Sequence, residues 1–305
     1  MHIDDLAHMI ISKRTSKPFT LSKISHNNTT YIYEDDSEGL ILKIVRNEES
    51  KRLKVEYDMT QFVKNTLKLN TPKILAFEQL DSYTYLLRVY IKGEPLISYY
   101  NKHNKNLPKY LFEAGRICAT LHKKTFDIKG VLSENMNVKD EPIYTQTEFN
   151  YFVETIKKNQ VIDKDKINHL ESLDIDYYYQ NYPNVLCHSD YNPRNIIVDA
   201  DDDLVLIDFE WASAAPRFDD LACFDIFLDL DNLQDMSHFF YEGYQTVQTI
   251  ELVYFNNINI YKIYRLVTMI AYQVTLEEII MKEFYDKCIK LLNKLIDNDI
   301  NKKEA

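Results

Sequence analysis

The sequence predicts an α+β protein with a bilobal organisation, in which a small N-terminal lobe holds an antiparallel sheet and one main helix and a larger C-terminal lobe is mostly helical. Strand-type patterns are concentrated before residue 92, helical periodicity prevails after it, and the turn-forming run Lys92-Gly93-Glu94-Pro95 lies at the change. We therefore expect an N-terminal domain of residues 1–91 and a C-terminal domain of residues 92–305.

The N-terminal lobe is predicted from short local patterns. The run from Thr30 to Glu34 carries tyrosines at alternate positions, Tyr31 and Tyr33, and the β-branched run from Leu40 to Val45 follows a turn, which together predict a hairpin. The segment from Glu48 to Leu67 has apolar residues at helical spacing. Two further strands are expected at residues 74–79 and 83–91. The predicted order along the chain is therefore two strands, one helix and two strands.

Helical patterns prevail in the C-terminal lobe. Leu107 to Lys124 carries apolar side chains along one face and predicts a core helix, and residues 149–159 and 252–295 are also predicted to be largely helical. Short apolar runs predict strands within this lobe, at residues 184–187, 195–198 and 204–207.

The composition excludes several classes of function. The net charge of −11 is distributed unevenly, with +1 in residues 1–90 and −12 in the rest, so no nucleic-acid partner is expected. The sequence contains no apolar run long enough for a membrane span and no secretory signal pattern at its N-terminus, and we expect a cytoplasmic protein. The four cysteines are far apart in apolar surroundings, which predicts buried free thiols.

One loop and one later carboxylate carry most of the chemical information. Asp190 and Asn195 lie five residues apart in a polar loop between two predicted strands, and Asp208 directly follows a third. If the strands after Asn195 and before Asp208 form a hairpin, these side chains enter one cavity. Carboxylate and amide oxygens suit Mg²⁺, which also binds substrate phosphates, and Asp190 would then accept a proton from an attacking hydroxyl.

These residues resemble the active-site motifs of kinases. His188-Ser189-Asp190 to Asn195 has the spacing of the H-R-D-x-x-x-x-N loop of protein kinases, and Ile207-Asp208-Phe209-Glu210 stands at the place of D-F-G. The run Ile207 to Ser213, followed by Asp220-Leu221-Ala222, is more similar to the aminoglycoside phosphotransferase and choline kinase superfamily. The resemblance covers roughly residues 20–225 and implies a protein-kinase-like fold, with a nucleotide-binding N-terminal lobe and a catalytic, acceptor-binding C-terminal lobe.

The resemblance also implies roles for individual residues. Asp190 would orient or deprotonate the acceptor hydroxyl, while Asn195 and Asp208 would hold Mg²⁺. Lys43 matches the strand lysine that neutralises the nucleotide phosphates, and Glu56 matches the glutamate that pairs with it. For Glu56, a solvated helix face is the alternative.

The remaining nucleotide contacts follow weaker patterns. Where protein kinases carry a glycine-rich loop, residues 25–30 contain no glycine, and we expect Ser25, Asn28 and Thr30 to bind phosphates together with backbone N–H groups. Arg88 and Tyr90 lie in the segment that would face the adenine. ATP is the expected nucleotide, and GTP stays open as an alternative.

Four residues are candidates for acceptor contacts. Asp225 and Asp229, four apart on one helical face, either bind a cation or are merely solvated. Trp211, with Tyr191, either forms an aromatic wall for a quaternary ammonium or packs internally. Glu210 and Trp211 belong to a run that is similar to the sequences of choline, ethanolamine and thiamine kinases.

The leading hypothesis is a small-molecule kinase that transfers the γ-phosphoryl group of ATP to a hydroxyl of a small cationic acceptor. Choline, ethanolamine and thiamine come first, and aminoglycosides, with a role in antibiotic resistance, come second; homoserine, methylthioribose and macrolides stay open, as does the oligomeric state. The alternative is a catalytically weak or inactive kinase-like regulator that binds nucleotide. A protein kinase is not expected, because Asp220 follows Asp208 within twelve residues and leaves no activation segment. Asp220 itself is expected to brace the catalytic loop.

Overall fold

The structure, a computed structural model, describes residues 2–15, 20–23, 29–34, 39–101, 103–139, 143–180, 182–276 and 281–304. Within them the α-helices are, in chain order, α1 (Ile3–Ser12), α2 (Ser50–Asn65), α3 (Leu107–Leu121), α4 (Gln146–Lys158), α5 (Lys164–Glu171), α6 (Ile175–Tyr179), α7 (Phe218–Leu230), α8 (Ser237–Gln245), α9 (Leu252–Val274) and α10 (Lys282–Glu304). The strands are β1 (Ser22–Lys23), β2 (Thr29–Glu34), β3 (Gly39–Arg46), β4 (Ile74–Leu80), β5 (Tyr83–Val89), β6 (Gly93–Pro95), β7 (Thr125–Phe126), β8 (Gly130–Leu132), β9 (Val138–Lys139), β10 (Asn184–Cys187), β11 (Ile196–Asp199), β12 (Leu204–Leu206) and β13 (Ser213–Pro216).

The chain divides into two compact units. The first unit comprises Met1–Ser98, Leu132–Asn137 and Arg194–Ala212. The second unit comprises Tyr99–Val131, Val138–Pro193 and Ser213–Ala305. The functional division of the chain at residue 91 stays a prediction.

The first unit is built on an antiparallel sheet with the strand order β1-β2-β3-β5-β4. β2 and β3 form the predicted hairpin, with Thr30 opposite Lys43, and β3 pairs on its other side with β5, where Lys43 lies opposite Leu86. Because side chains alternate between the two faces of a strand, Lys43 shares its face with Val45. Val45 and Leu86 pack against Leu53 of α2, so this face of the sheet receives the side chains of α2.

The opposite face of the same sheet is covered by α1, an element that the sequence patterns did not predict. Leu6, Ile10 and Ile11 of α1 are buried in one cluster with Tyr31 and Leu42 of the hairpin. Together with the buried Ala7, these residues recur at separations of three and four along α1, which is the spacing of an amphipathic helix. The sheet is therefore covered on both faces by helices.

A smaller antiparallel sheet in the first unit has the strand order β12-β11-β6. The two strands that the sequence predicted at residues 195–198 and 204–207 form a hairpin that pairs Ile196 with Leu206 and Val198 with Leu204. The turn between the strands is held by the Asp199 carboxylate, which accepts hydrogen bonds from two backbone N–H groups at 3.0 Å. The other end of the hairpin carries Asn195 and Asp208.

The second unit is mostly helical. The long helix α9 packs against α4, α7 and α10, and a small sheet has the strand order β7-β10-β13-β8-β9. α3 and α8 approach each other backbone to backbone, because a Cβ on Gly115 would lie 1.9 Å from the Phe240 carbonyl oxygen and one on Gly243 would lie 1.8 Å from that of Phe112. A glycine at position 115 is therefore needed for the close packing of α3 and α8, despite its low helix propensity.

These elements confirm the predicted fold class, with an antiparallel sheet in the N-terminal region and a mostly helical C-terminal part. All four cysteines are buried and free, as predicted. The segment predicted to be largely helical at residues 252–295 consists of α9 and α10. None of the helices described for this chain is both long enough and apolar enough to cross a membrane.

Candidate active site

A buried lysine in the first unit is paired with two carboxylates. Lys43 lies on β3, where every residue from Gly39 to Val45 is buried. Its Nζ lies 2.6 Å from Glu56 Oε2 and 2.7 Å from Asp208 Oδ1. Glu56 comes from α2 and is only 1% exposed. It therefore does not lie on a solvated helix face, which was the alternative interpretation of this residue.

The charge of Lys43 is stabilised by its neighbours. Burial lowers the pKa of Lys43, but the carboxylates of Glu56, Asp208 and Glu210 together outweigh burial and hold the pKa above its ordinary value. Lys43 is therefore a fixed cation at the end of a carboxylate cluster. Such a cation is suited to neutralise an anionic ligand, and it keeps its proton across the physiological pH range.

The hairpin of β11 and β12 brings Asn195 and Asp208 to one end. The Ile207 N–H donates to the Asn195 carbonyl at 3.0 Å, and Asp208 follows directly with a left-handed backbone, φ 69°. A left-handed φ is uncommon for a non-glycine residue, and aspartate tolerates it better than most. The conformation turns the chain away from the strand and presents the Asp208 carboxylate to Lys43.

Three carboxylates of the first unit could hold a divalent cation. One oxygen from each of Glu56, Asp208 and Glu210 lies within 4.8 Å of the other two. Burial raises the pKa of Glu210, and the neighbouring Asp208 carboxylate raises it further. An all-oxygen donor set with excess negative charge fits Mg²⁺.

The next residue, Trp211, is 39% exposed and is stacked by an arginine. The Arg52 guanidinium carbon lies 3.2 Å from the centroid of the indole ring, and the indole Nε1–H donates to Glu210 Oε1 at 3.1 Å. A cation already occupies one face of this ring. Tyr191, the second residue of the suggested aromatic wall, is fully buried in the second unit, where its hydroxyl donates to the Ala114 carbonyl at 2.6 Å.

The predicted nucleotide residues lie at several places in the first unit. Thr30 is buried on β2 opposite Lys43, and Arg88 is buried on β5 opposite Ile41. The Tyr90 N–H donates to the Gly39 carbonyl at 2.8 Å. The two remaining residues, Ser25 and Asn28, lie outside the described residues.

The loop before Asp190 is held from the second unit's helix α7. The Asp220 carboxylate accepts the backbone N–H groups of His188 and Ser189, both at 2.8 Å, which is the bracing that the sequence predicted for Asp220. The side chain of His122 lies 3.2 Å from the same carboxylate. Although burial raises the pKa of Asp220, the hydrogen bonds and charges of its histidine partners outweigh burial and lower it.

Asp190 is more accessible than the residues that hold its loop. Its side chain is 39% exposed, whereas those of His122 and Asp220 are fully buried. A partly exposed carboxylate on a braced loop is suited to contact a small ligand. Arg265 of α9 contacts both this carboxylate and the preceding residue, and the sequence patterns did not identify it.

The candidate acceptor residues Asp225 and Asp229 lie together on α7 beside a lysine of α9. Lys262 Nζ is 2.9 Å from Asp229 Oδ2 and 3.4 Å from Asp225 Oδ2, and the Tyr241 hydroxyl also donates to Asp225. Asp225 is 2% exposed and Lys262 is 8% exposed. The chain's own ammonium group therefore occupies the position between the two carboxylates.

Residues 20–231 of the chain match the model of the phosphotransferase enzyme family. Comparison with curated proteins gives no match.

Solved structures of several kinases share the fold. APH(2")-IIia, in its complex with GDP and kanamycin, has a TM-score of 0.69 at 11% identity and covers 96% of this chain and 99% of its own. A thermostable mutant of aminoglycoside phosphotransferase APH(4)-Ia, with AMP-PNP and hygromycin B, has a TM-score of 0.66 at 11% identity, with 95% and 97% covered. A microcompartment-associated aminopropanol kinase has a TM-score of 0.62 at 14% identity, with 97% and 95% covered. At these identities the likeness shows a shared fold.

Proposed function

The chain belongs to the phosphotransferase enzyme family, whose members are kinases of small molecules, and from this premise we propose that it transfers the γ-phosphoryl group of ATP to a hydroxyl of a small, positively charged acceptor. The observation that carries the proposal is the bridge from Lys43 to Glu56 and Asp208. A buried ammonium that is fixed beside a carboxylate cluster suits a nucleotide that arrives with a divalent cation.

The nucleotide half of the reaction is assigned to the first unit. Lys43, oriented by Glu56, neutralises phosphate oxygens, and Asp208 and Asn195 hold Mg²⁺. When bound, Mg²⁺ neutralises charge on the phosphate oxygens and orients them for in-line transfer. Thr30, together with Ser25 and Asn28 from the sequence pattern, contacts the phosphates, and Arg88 and Tyr90 contact the base. The complexes of APH(4)-Ia with AMP-PNP and of APH(2")-IIia with GDP support a nucleoside triphosphate as the donor, with ATP proposed here and GTP as the alternative.

The acceptor half is assigned to Asp190. Its carboxylate accepts a hydrogen bond from the acceptor hydroxyl and takes the proton as the new O–P bond forms. The bond between the γ-phosphorus and the bridging oxygen breaks, and ADP leaves with that oxygen. Asp220 keeps Asp190 in place by holding two N–H groups of the preceding backbone.

A positively charged acceptor is supported by the chemistry around α7 and by the similar proteins. Kanamycin, hygromycin B and aminopropanol, the ligands or substrate named for those proteins, all carry amines and hydroxyls. In this chain Lys262 neutralises part of the charge of Asp225 and Asp229, so we propose that these residues, with Glu210 and Trp211, favour a compact amino alcohol over a polycationic aminoglycoside. The second candidate, an aminoglycoside and hence antibiotic resistance, is favoured by the fold shared with APH(2")-IIia.

Formation of the nucleoside diphosphate, ADP from ATP or GDP from GTP, together with the phosphorylated acceptor decides the proposal. The full-length protein with Mg²⁺ and either ATP or GTP is assayed against choline, ethanolamine, aminopropanol, thiamine, kanamycin and hygromycin B. We expect phosphorylation of one amino alcohol, a kcat lowered by about 10²–10⁴-fold in Asp190→Asn, and normal turnover by Asp127→Asn, an exposed aspartate of the same unit. If no acceptor is phosphorylated while Mg·ATP still binds, the chain is the alternative, a kinase-like regulator that binds nucleotide.

The proposal includes a cytoplasmic location, where ATP and small metabolites are available. It requires neither nucleic acid nor a membrane.

A further inference from the structure

The residue before Asp190 has an unfavourable backbone conformation. Ser189 has φ 62°, in the left-handed region that non-glycine residues rarely adopt. Its N–H group is held by Asp220 at 2.8 Å, and its hydroxyl lies 2.6 Å from that of Ser213. A strained conformation persists only where surrounding groups fix it, so the contacts of the Ser189 peptide groups determine where Asp190 points.

The carbonyl side of this residue is held by Arg265. The guanidinium Nη2 of Arg265 donates a hydrogen bond to the Ser189 carbonyl oxygen. The same nitrogen lies 3.6 Å from Asp190 Oδ1. One guanidinium group therefore contacts both the backbone that precedes Asp190 and the Asp190 carboxylate, while Asp220 holds the opposite side of Ser189.

The other end of the guanidinium faces a second carboxylate. Nη1 of Arg265 lies 3.7 Å from Asp219 Oδ1, and the Asp219 side chain is fully buried. Arg265 therefore supplies a counter-charge to this buried carboxylate. Burial raises the pKa of Asp219 and the Arg265 charge opposes that rise, which is consistent with this pairing.

We propose that Arg265 is a positioning residue for Asp190: it fixes the Ser189 carbonyl and attracts the Asp190 carboxylate, and Asp219 anchors Arg265 in that place. The proposal rests on the proposed function, in which Asp190 accepts the acceptor proton. Arginine suits this role because its planar group presents donors in two directions, whereas the single ammonium of lysine cannot reach the Ser189 carbonyl and Asp219 in the same geometry. The role of Asp220 is different, because its carboxylate accepts hydrogen bonds from two N–H groups of the loop, whereas Arg265 donates a hydrogen bond to a carbonyl group of the loop.

The test compares Arg265→Met and Arg265→Lys with Arg217→Met in the full-length protein. Arg217 is a matched control because it also belongs to the second unit, its side chain is 11% exposed against 16% for Arg265, and it donates to a backbone carbonyl, that of Thr249, at 2.9 Å. Steady-state kinetics use the acceptor with the highest turnover in the screen. Hydrogen exchange of the peptide that contains His188 and Ser189 is measured in parallel, because it needs no turnover.

We expect Arg265→Met to lower kcat by about ten- to hundredfold with the KM for ATP changed less than about twofold, because a misplaced base slows chemistry without altering nucleotide binding. Arg265→Lys should recover part of the loss. Exchange at His188 and Ser189 should become about tenfold faster in Arg265→Met. Arg217→Met should have the same kcat as the wild type and the same rate of hydrogen exchange at His188 and Ser189.

The proposal is overturned if Arg265→Met, or Arg265→Lys should the methionine variant not fold, keeps kcat within about twofold of the wild type. It is also overturned if Arg217→Met loses as much kcat as Arg265→Met, since that loss would reflect general destabilisation. If the wild type phosphorylates no acceptor, the proposed function fails separately. Hydrogen exchange then decides alone whether Arg265 fixes the loop, and unchanged exchange in the variant refutes it.

Discussion

Replacing Lys43 by methionine should destabilise the first unit by about 3–5 kcal/mol, because the change leaves a buried carboxylate without its counter-charge. The Glu56 side chain is 2% exposed and lies 2.6 Å from Lys43, so it loses its partner in a place that water barely reaches. Asp208, the other partner, has a side chain that is 35% exposed and contributes less to the cost. Nearly all of the expected loss therefore comes from Glu56.

The double variant Lys43→Met, Glu56→Leu tests this reasoning. Removing both charges leaves neither member of this pair buried without its partner, and the unit should recover to within about 2 kcal/mol of the wild type. Binding of Mg·ATP should be lost in both the single and the double variant, because both lack the ammonium group that we propose binds the phosphates. The double variant should therefore be nearly as stable as the wild type and still fail to bind Mg·ATP.

The assay can use the chain's single tryptophan. Trp211 lies in the first unit with the Arg52 guanidinium stacked on its ring, and its fluorescence should change when that unit unfolds in urea. Calorimetry gives the affinity for Mg·ATP. The reasoning is refuted if the single variant loses less than about 1 kcal/mol, or if the double variant is as unstable as the single one.

Asp208→Ala should abolish the Mg²⁺-dependent part of ATP binding measured by calorimetry, while Asp201→Asn, an exposed aspartate in the turn of the same hairpin, should not; unchanged affinity in Asp208→Ala removes that residue from the metal site. Asp190→Asn should lower kcat by about 10²–10⁴-fold with unaltered Mg·ATP affinity, and a lowered affinity would contradict a role confined to the acceptor. Burial raises the pKa of Asp219 from 3.8 to about 6, so the folded state binds this proton more tightly than the unfolded state and protonation stabilises the fold. On the order of 3 kcal/mol of stability, fully present below pH 3.8, should be lost as the pH rises through about 6, and urea titrations of Asp219→Asn should lack this change.

The sequence predicted those parts of the fold and site that depend on local patterns. The hairpin that carries Lys43 and the two strands between Asn195 and Asp208 follow from β-branched and apolar runs and turn residues, and the structure confirms them. Lys43 stood out because it interrupts an apolar strand. Glu56 did not, since a charged residue on a helix is as compatible with solvent as with burial until the helix has been placed on the sheet.

The contacts that the sequence did not predict join residues that are distant along the chain. Arg265 reaches the carbonyl of Ser189, which lies 76 residues earlier, and Lys262 reaches Asp229 from a different helix. Periodicity shows which residues share a helix face, but it does not show which side chain of another helix covers that face. Two basic residues in the largely apolar helix α9 were the only signal that this helix carries charges into the interior of its unit.

The close approach of α3 and α8 has a consequence for mutational studies of this protein. Exchanging a helical glycine for alanine is a common way to raise thermostability, worth up to about 1 kcal/mol. At Gly115 and Gly243 the added methyl group would lie within 2.0 Å of a carbonyl oxygen, as the 1.9 and 1.8 Å separations show, so the exchange should have the opposite effect. A saturation mutagenesis screen for activity would therefore score both glycines as intolerant as Asp190, the proposed proton acceptor, although their role is in helix packing alone. Measuring protein abundance beside activity would distinguish the two classes of position.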